Sequence, residues 1–321
     1  MNTDEYFSEW LSDQKLDLAK STYESWTIYV NKHLIPWFRK NANDLSAVCA
    51  RDIKDYIKYK RTSGRLDGQS GGLSAVSVKK HLSIIRQCLD SAVVDGYLTS
   101  NPAKSVHQRR QKSPVSERTV MLDPVQANNM LEAFKGHWLF PVVAITLFYG
   151  LRRSEVLGLQ WSSVDFINNE IRIEHTVVKN LTIEEKDTTK TLGSCASFGM
   201  LPNIRTLLLD LYEKRNKKSK YVFCREDGTF LLPDTVTRAF KNHLKKCHLP
   251  QMRFHDLRHS TASILLYSGW DLEKIKIWLR HADIETTSNI YLHFGRGTKK
   301  IISDMAKNVM SFDLSEPSQN P

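Results

Sequence analysis

The sequence predicts a mainly α-helical protein with a small antiparallel sheet, an α+β fold. Apolar residues recur at steps of three and four along most of the chain, which is typical of amphipathic helices. One stretch, 171–177, instead alternates apolar and polar residues, as a half-buried strand does. The length of 321 residues suggests two domains. We therefore expect two mainly helical domains, of which the second contains the sheet.

The first hundred residues predict a small helical bundle. Ser21 and Glu24 form a capping-box pair at the start of one helix, and Pro36 is expected to bend or end that helix. A second helix is predicted over 50–60, and a glycine-containing loop follows at 62–72. The third helix has an apolar face of Val78, Leu82, Ile85, Leu89 and Val93 and a basic face of Lys79, Lys80, His81 and Arg86.

A change in composition predicts the domain division. Residues 101–119 contain several cations and prolines but almost no large apolar side chain, which favours a basic interdomain linker. The predicted domains are therefore 1–100 and 120–321.

The second predicted domain begins with a strong helix start. Asp123 is placed as the N-cap, Pro124 as the first helical residue, and Gln126 completes the capping box. The other predicted elements are a buried helix over 139–151, a strand over 171–177, a returning strand over 198–202, and helices from Asn203, Asp234 and His255.

Charge and composition limit the possible partners. The 46 Lys and Arg against 35 Asp and Glu give a net charge of +11, which points to nucleic acid or an anionic membrane surface and is also compatible with a merely basic enzyme. The apolar run at 138–151 is shorter than the ~20 residues a membrane span needs, and the N-terminus has no signal-peptide pattern. Five cysteines without a CxxC pair argue against a disulfide framework or a zinc site, and we expect a cytoplasmic protein.

A set of chemically active residues occurs within the second predicted domain. Each of them alone is more often structural, but together they suit phosphoryl transfer. Arginines hold phosphate oxygens, histidines supply donors or a base, a lysine protonates a leaving alkoxide, and a tyrosine acts as nucleophile. No Asp/Glu cluster with metal-ligand spacing is evident, so we expect protein cations rather than a metal to stabilise the charge. The candidates are Arg152, His255, Arg258, His281, Tyr291 and a lysine of the strand region.

Three stretches surround most of these residues. They read LFYGLRRSEVLGL at 147–159, RFHDLRHSTAS at 253–263 and WLRHADIETTSNIY at 278–291. On these motifs the sequence resembles the tyrosine recombinases, or phage-type integrases, and the resemblance covers nearly the whole chain. The spacing from His281 to Tyr291 is most similar to that in integrases of phages and conjugative transposons.

The resemblance implies a fold and a function. A helical core-binding domain and a catalytic domain would form a C-shaped clamp around double-stranded DNA core sites. The enzyme would cut and rejoin DNA through a 3′-phosphotyrosyl intermediate and a Holliday junction, most simply to integrate or excise a mobile element, without ATP or a cofactor. The alternatives are a resolvase or invertase with the same chemistry, or a non-catalytic DNA-binding protein of the same fold.

The resemblance also implies a role for each residue. Tyr291 would attack the phosphorus, and Lys190 would protonate the departing 5′-oxygen. Glu155 would buttress the site. The four remaining residues would hold the scissile phosphate: Arg152, His255, Arg258 and His281.

Three departures from the family pattern stand out. Arg280 replaces the usual glycine before the second histidine, where it would add a phosphate contact or reshape the helix end. The polar stretch after Lys190 is long, so Lys186 and Lys179 remain rivals for the general acid. The chain starts directly at the core-binding domain, so an N-terminal arm-binding domain is expected to be either naturally absent or truncated.

The resemblance finally implies partners. Residues 299–312 have an apolar helical side that either packs on its own domain or docks on a neighbouring subunit of a homotetramer. Accessory DNA-bending or excision factors are further expected partners, and a membrane is not.

Overall fold

The computed structural model describes residues 1–107, 119–179, 183–187 and 196–280. The chain divides into two compact units, Met1–Pro114 and Val115–Pro321. Helices dominate the described residues, and the sheet is small and antiparallel, so the predicted fold class is confirmed. The predicted linker over 101–119 stays a prediction, because 108–118 lie outside the described residues.

The first unit is a helical bundle. Its helices are α1 (Thr3–Asp17), α2 (Lys20–Tyr29), α3 (Ile35–Asn41), α4 (Ala50–Thr62) and α5 (Ala75–Val94). The sequence prediction missed α1, although the Glu5 carboxylate accepts a hydrogen bond from the Asn2 N–H at 3.4 Å and so caps its start. The predicted cap at Ser21 is wrong, because α2 begins at Lys20 and Ala19 is its N-cap.

Pro36 lies at the junction between two helices. A π-helical turn, Val30–Leu34, connects α2 to α3, and Pro36 occupies the first turn of α3. Proline has no N–H to donate, so the helix lacks one backbone hydrogen bond at Pro36. The π-helical turn directly before it accommodates this missing bond. The chain therefore changes its helical winding at the place where the sequence predicted a bend.

The buried face of α5 agrees with the apolar spacing, but one residue of its predicted basic face does not. Lys79 and Lys80 are exposed, whereas His81 is fully buried and its Nδ1 lies 2.7 Å from the Tyr56 hydroxyl. The prediction of an exposed His81 is wrong because this hydroxyl, on another helix, supplies a hydrogen-bond partner for its Nδ1 inside the core.

Residues 101–106 pack against α5. A 3₁₀ turn, Pro102–Ser105, buries Ala103 in the core of the first unit. The Arg86 guanidinium donates to the carbonyls of Ala103 and Val106, so it holds this segment in place rather than facing a partner.

The second unit has seven α-helices among its described residues. They are α6 (Pro124–Phe134), α7 (Phe140–Tyr149), α8 (Arg153–Leu157), α9 (Pro202–Glu213), α10 (Pro233–Lys246), α11 (Asp256–Tyr267) and α12 (Leu272–Leu279). The predicted capping box is confirmed, because Asp123 Oδ1 accepts from the Gln126 N–H at 2.8 Å and Gln126 Oε1 accepts from the Asp123 N–H at 3.1 Å. The most apolar helix, α7, has ten residues, and no described helix is long and apolar enough to cross a bilayer.

The strands form two separate antiparallel groups. They are β1 (Val164–Asp165), β2 (Glu170–Ile173), β3 (His175–Lys179), β4 (Ile183–Asp187) and β5 (Ala196–Gly199). The sheet has the order β1-β2-β5, and β3 pairs with β4 as a hairpin. The single strand predicted over 171–177 is thus divided at Glu174, and β4 was not predicted. Charged residues dominate β4, so it has no apolar alternation that would have revealed it.

Candidate functional site

The site begins where α7 ends. Gly150 has the left-handed conformation, with φ of 63°, and a Cβ at this position would lie 2.2 Å from Leu279 Cδ2. A glycine is therefore required both by the backbone conformation and by the close approach of α12. The same turn points the Gly150 carbonyl into the site and leads the chain directly to Arg152.

Arg152 is the N-cap of α8. Glu155 reaches back from the first turn, so that its Oε2 accepts from the Arg152 N–H at 2.8 Å and its Oε1 accepts from Arg152 Nη1 at 2.7 Å. The Glu155 side chain is 6% exposed, whereas that of Arg152 is 43% exposed. One edge of the guanidinium is thus fixed by a buried carboxylate, and part of the rest is accessible to a ligand.

Arg258, on α11, is buried at 2% exposure. Its Nη1 donates to the Gly150 carbonyl at 2.6 Å, and its Nη2 donates to the Leu279 carbonyl. These carbonyls lie at the C-terminal ends of α7 and α12, where the helix dipole favours a cation. Burial, together with the Arg152 cation, lowers the pKa of Arg258 to about 9, so the group stays protonated at neutral pH.

His255 is the exposed N-cap residue of α11. Its ring packs edge-on against His259, with ring centroids 5.0 Å apart. Desolvation by the surrounding chain and the nearby Arg258 cation lower the pKa of His255. A neutral imidazole at this position can accept a proton or donate a hydrogen bond at neutral pH.

An ion pair between exposed Arg253 and a buried carboxylate fixes the start of α11. Asp256 is fully buried and accepts from the Arg253 N–H at 2.8 Å and from Arg253 Nη2 at 2.7 Å. Within α11, the Thr261 hydroxyl donates to the Leu147 carbonyl at 2.6 Å and so joins α11 to α7. These bonds hold His255 and Arg258 in a constant relation to Arg152.

Arg280 follows α12 in the left-handed conformation, with φ of 56°. This conformation costs a residue with a Cβ about 1–2 kcal/mol, which accounts physically for the glycine usual in this motif. The side chain is 11% exposed, and its Nη2 lies 2.7 Å from Glu155 Oε2. Of the two expected roles, the inward orientation agrees with reshaping the helix end and not with a phosphate contact.

The strand β4 is anchored by Glu185. Its carboxylate accepts from Lys220 Nζ at 2.7 Å, from the Tyr221 hydroxyl at 2.8 Å and from Gln160 Nε2. This network fixes the strand that precedes Lys190 in the chain. The sequence offered no signal for it, since its donors lie far from Glu185 in the chain.

The structure brings together three of the six predicted residues: Arg152, His255 and Arg258. The others, Lys190, His281 and Tyr291, lie outside the described residues, as does the predicted tail helix. Lys179 and Lys186 lie on the backbones of β3 and β4, and their side chains also lie outside the described part. Sequence reasoning missed Gly150, Arg253 and Asp256 as parts of the site. Within the described ranges, no group of three or more His, Cys, Asp or Glu side chains could hold a metal ion.

An apolar pocket of about 240 Å³ adjoins this arrangement. It lies among α6, α7, α11 and α12, and it is lined by Leu131, Leu147, Ile264, Leu265, Trp270 and Trp278, among others.

Two family matches cover most of the sequence. Residues 89–296 match the phage integrase family, and residues 4–112 match the phage integrase SAM-like domain. The ICEBs1 integrase of Bacillus subtilis is 25% identical over 320 residues, which cover 94% of this chain and 82% of that protein. A tyrosine recombinase XerC-like protein of Caldanaerobacter subterraneus is 27% identical over 247 residues, or 69% of this chain, and the match spans 63% of that relative's length.

Solved structures share the fold. The Tn1549 transposon integrase in complex with a circular intermediate DNA matches with a TM-score of 0.73 at 17% identity, covering 94% of this chain and 99% of that one. A lambda integrase dimer bound to a core site matches with a TM-score of 0.64 at 16% identity, covering 88% and 96% of the two chains.

Proposed function

The chain belongs to the phage integrase family and is a tyrosine recombinase, and we propose that it cuts and rejoins double-stranded DNA at specific core sites. The observation that carries this proposal is that Arg152 and Arg258 meet at the turn that ends α12, where the Leu279 carbonyl accepts from Arg258 and the Arg280 carbonyl accepts from Arg152. Such an arrangement presents fixed positive charge to one phosphate and suits a phosphodiester substrate.

The proposed chemistry uses the described residues together with three beyond them. The Tyr291 oxygen attacks the phosphorus, the bond from phosphorus to the 5′-oxygen breaks, and Lys190 supplies the proton that this oxygen takes. Arg152, Arg258, His255 and His281 hold the phosphate, and His255 is also placed to assist deprotonation of the tyrosine. The lowered pKa of His255 supports that role, because a neutral imidazole accepts a proton.

The covalent 3′-phosphotyrosyl bond conserves the energy of the original phosphodiester. The 5′-hydroxyl of a partner duplex can therefore reverse the attack without ATP, and two rounds of exchange pass through a Holliday junction. The similarity to the ICEBs1 integrase and to the Tn1549 transposon integrase favours integration and excision of a mobile element as the use of this reaction.

A suicide substrate tests the enzyme function. The substrate is a duplex core site, selected from the DNA flanking the gene, with a nick beside the scissile phosphate. The wild type should form a covalent protein–DNA adduct, and Tyr291→Phe should bind equally well without forming it. A wild type that binds the site but never forms the adduct would support the non-catalytic DNA-binding alternative.

A second assay separates integration from resolution or inversion. Plasmids carry two core sites in direct or inverted orientation, or one site on each of two molecules. Joining of separate molecules and excision between direct sites support the mobile-element function. Products confined to resolution or inversion within one plasmid support the alternative.

We further propose that the recombining form is a homotetramer on DNA, assisted by accessory bending or excision factors. The apolar pocket beside α12 offers a docking place for the apolar side of residues 299–312 from a neighbouring subunit. Truncation after Arg296 should then weaken pairing of two core sites more than binding to one site. Equal losses would indicate that the tail packs on its own subunit.

A further inference from the structure

Arg280 is unusual because its guanidinium turns into the protein. The side chain is 11% exposed, although it follows the last residue of a helix beside an accessible site. Its guanidinium carbon lies 5.5 Å from the centroid of the Phe198 ring, and its Nη2 contacts Glu155 Oε2 at 2.7 Å. The Arg280 cation therefore makes its contacts inside the second unit.

Glu155 is shared between two arginines. Its Oε2 accepts from both Arg280 Nη2 and the Arg152 N–H, and its Oε1 accepts from Arg152 Nη1. A buried carboxylate is costly unless it is paired and hydrogen-bonded. Burial acts to raise the pKa of Glu155, but the Arg280 cation and then the bonds from Arg152 outweigh it, so the pKa lies below its ordinary value.

The backbone of the same turn contacts both site arginines. The Arg280 carbonyl accepts from Arg152 Nη2 at 3.5 Å, and the preceding Leu279 carbonyl accepts from Arg258 Nη2. The left-handed conformation of Arg280 thus joins its side chain to Glu155 and its carbonyl to Arg152. A glycine at this position would keep the carbonyl contact and lose the cation.

We propose that Arg280 is a positioning residue that keeps the Glu155 carboxylate charged and oriented, so that Glu155 holds Arg152 in place for the scissile phosphate. This inference rests on the proposed recombinase function. Arg280 acts through Glu155 and Arg152 and does not itself contact the DNA. Without this cation, burial would dominate, Glu155 would take up a proton at mildly acidic pH, and its hold on Arg152 would fail.

The test compares charge with backbone conformation at residue 280. Arg280→Gln removes the charge, Arg280→Gly removes both the charge and the backbone strain, and Arg280→Lys retains the charge. Arg225→Gln is the matched control, because Arg225 is half-exposed and pairs with Asp227 on a surface turn. The readout is the rate of adduct formation on the nicked core duplex from pH 5 to 8.5, with protein in excess, beside the Kd for that duplex.

We expect Arg280→Gln and Arg280→Gly to lose about tenfold in cleavage rate between pH 7.5 and 6. The reason is that a rate that needs one ionised carboxylate falls about tenfold for each pH unit below the pKa of that group. Wild type, Arg280→Lys and Arg225→Gln should stay within threefold over that range, and every Kd should change less than threefold. The proposal would be overturned if the pH–rate profiles of both uncharged variants, each divided by its maximum, coincided with that of the wild type. It would also be overturned if the profile shifted in only one of these two variants.

A measurement without DNA distinguishes failure of this inference from failure of the proposed function. If the Glu155 pKa rises in Arg280→Gln, its stability relative to wild type falls as the pH rises from 5 to 7.5, because ionised Glu155 then destabilises the fold. Urea unfolding should show this growing deficit. A deficit that does not depend on pH would overturn the role of Arg280, whether or not the wild type forms an adduct.

Discussion

Both units of this protein bury basic side chains, and they do so in opposite ways. In the first unit, Lys60 is 3% exposed and lies 5.6 Å and 5.1 Å from the rings of Tyr56 and Tyr59. Burial lowers the pKa of Lys60 to about 8, and burial and neighbouring cations lower those of His33 and His81 to about 4. In this cluster the two imidazoles are neutral at pH 7, and the Lys60 ammonium loses its proton just above neutral pH.

In the second unit, the buried base is an arginine, which retains its proton. Two helix-end carbonyls accept hydrogen bonds from the Arg258 guanidinium, and the Glu155 carboxylate lies between Arg152 and Arg280. The difference teaches that a guanidinium, which starts from a higher pKa than an ammonium and here has carbonyl acceptors, keeps its charge over a wider pH range when it is buried. Aromatic rings suffice for the core of the first unit, whereas the proposed phosphate site needs charge that persists.

The largest expected effect is at Arg258. Arg258→Lys cannot reach both carbonyls and a phosphate at once, so adduct formation should slow by on the order of 10²–10³-fold. Arg153→Lys is the matched control, since Arg153 donates to Thr237 Oγ1 on α10. The rate of single-turnover cleavage of the nicked duplex is measured for both variants. A loss below threefold for Arg258→Lys would mean that persistent buried charge is not what the site requires.

The next largest effect is expected at Gly150, in the turn whose carbonyl accepts a hydrogen bond from Arg258. Gly150→Ala combines a left-handed conformation with the close approach of Leu279, and should lower the free energy of unfolding by about 2–4 kcal/mol. Gly136→Ala isolates the backbone contribution, because Gly136 has φ of 77° with open space around it, and should cost about 1 kcal/mol. Equal losses in urea unfolding would show that the contact with α12 adds nothing.

The first unit should respond to acid through its histidines. The folded pKa of His81 lies below its value of 6.5 when unfolded, so the unfolded chain takes up the proton first and stability falls from about pH 6.5 to about pH 4. We expect a loss of about 2–3 kcal/mol from this buried group. His81→Gln should flatten that fall in urea titrations of the full chain. An unchanged acid slope in the variant would remove His81 as its cause.

The smallest expected effect is at Lys60. Lys60→Met replaces a buried ammonium by an apolar chain of similar length, and should change the free energy of unfolding by less than about 1 kcal/mol. The Kd for the core duplex should stay within twofold of wild type. If the variant loses as much stability as Gly150→Ala, the ammonium of the first unit is as tightly required as the guanidinium of the second, and the contrast between the units fails.

Much of the fold followed from local patterns. The capping box at Asp123, the apolar face of α5 and the buried helix before Gly150 all depend on residues within a few positions of one another. The prediction failed where distant groups decide the outcome. His81 is buried because Tyr56 is its partner, and β4 exists because β3 pairs with it.

The sequence by itself determined the residues of the proposed site, because Arg152, His255 and Arg258 occur in motifs whose residue types and order are specific. Only the tertiary structure decided how they are held. The carbonyls that receive Arg258 belong to Gly150 and Leu279, and the cation beside Glu155 comes from residue 280. Main-chain acceptors leave no signature in a sequence, and the side chains of Glu155 and Arg280 meet only after α8 and α12 have packed together.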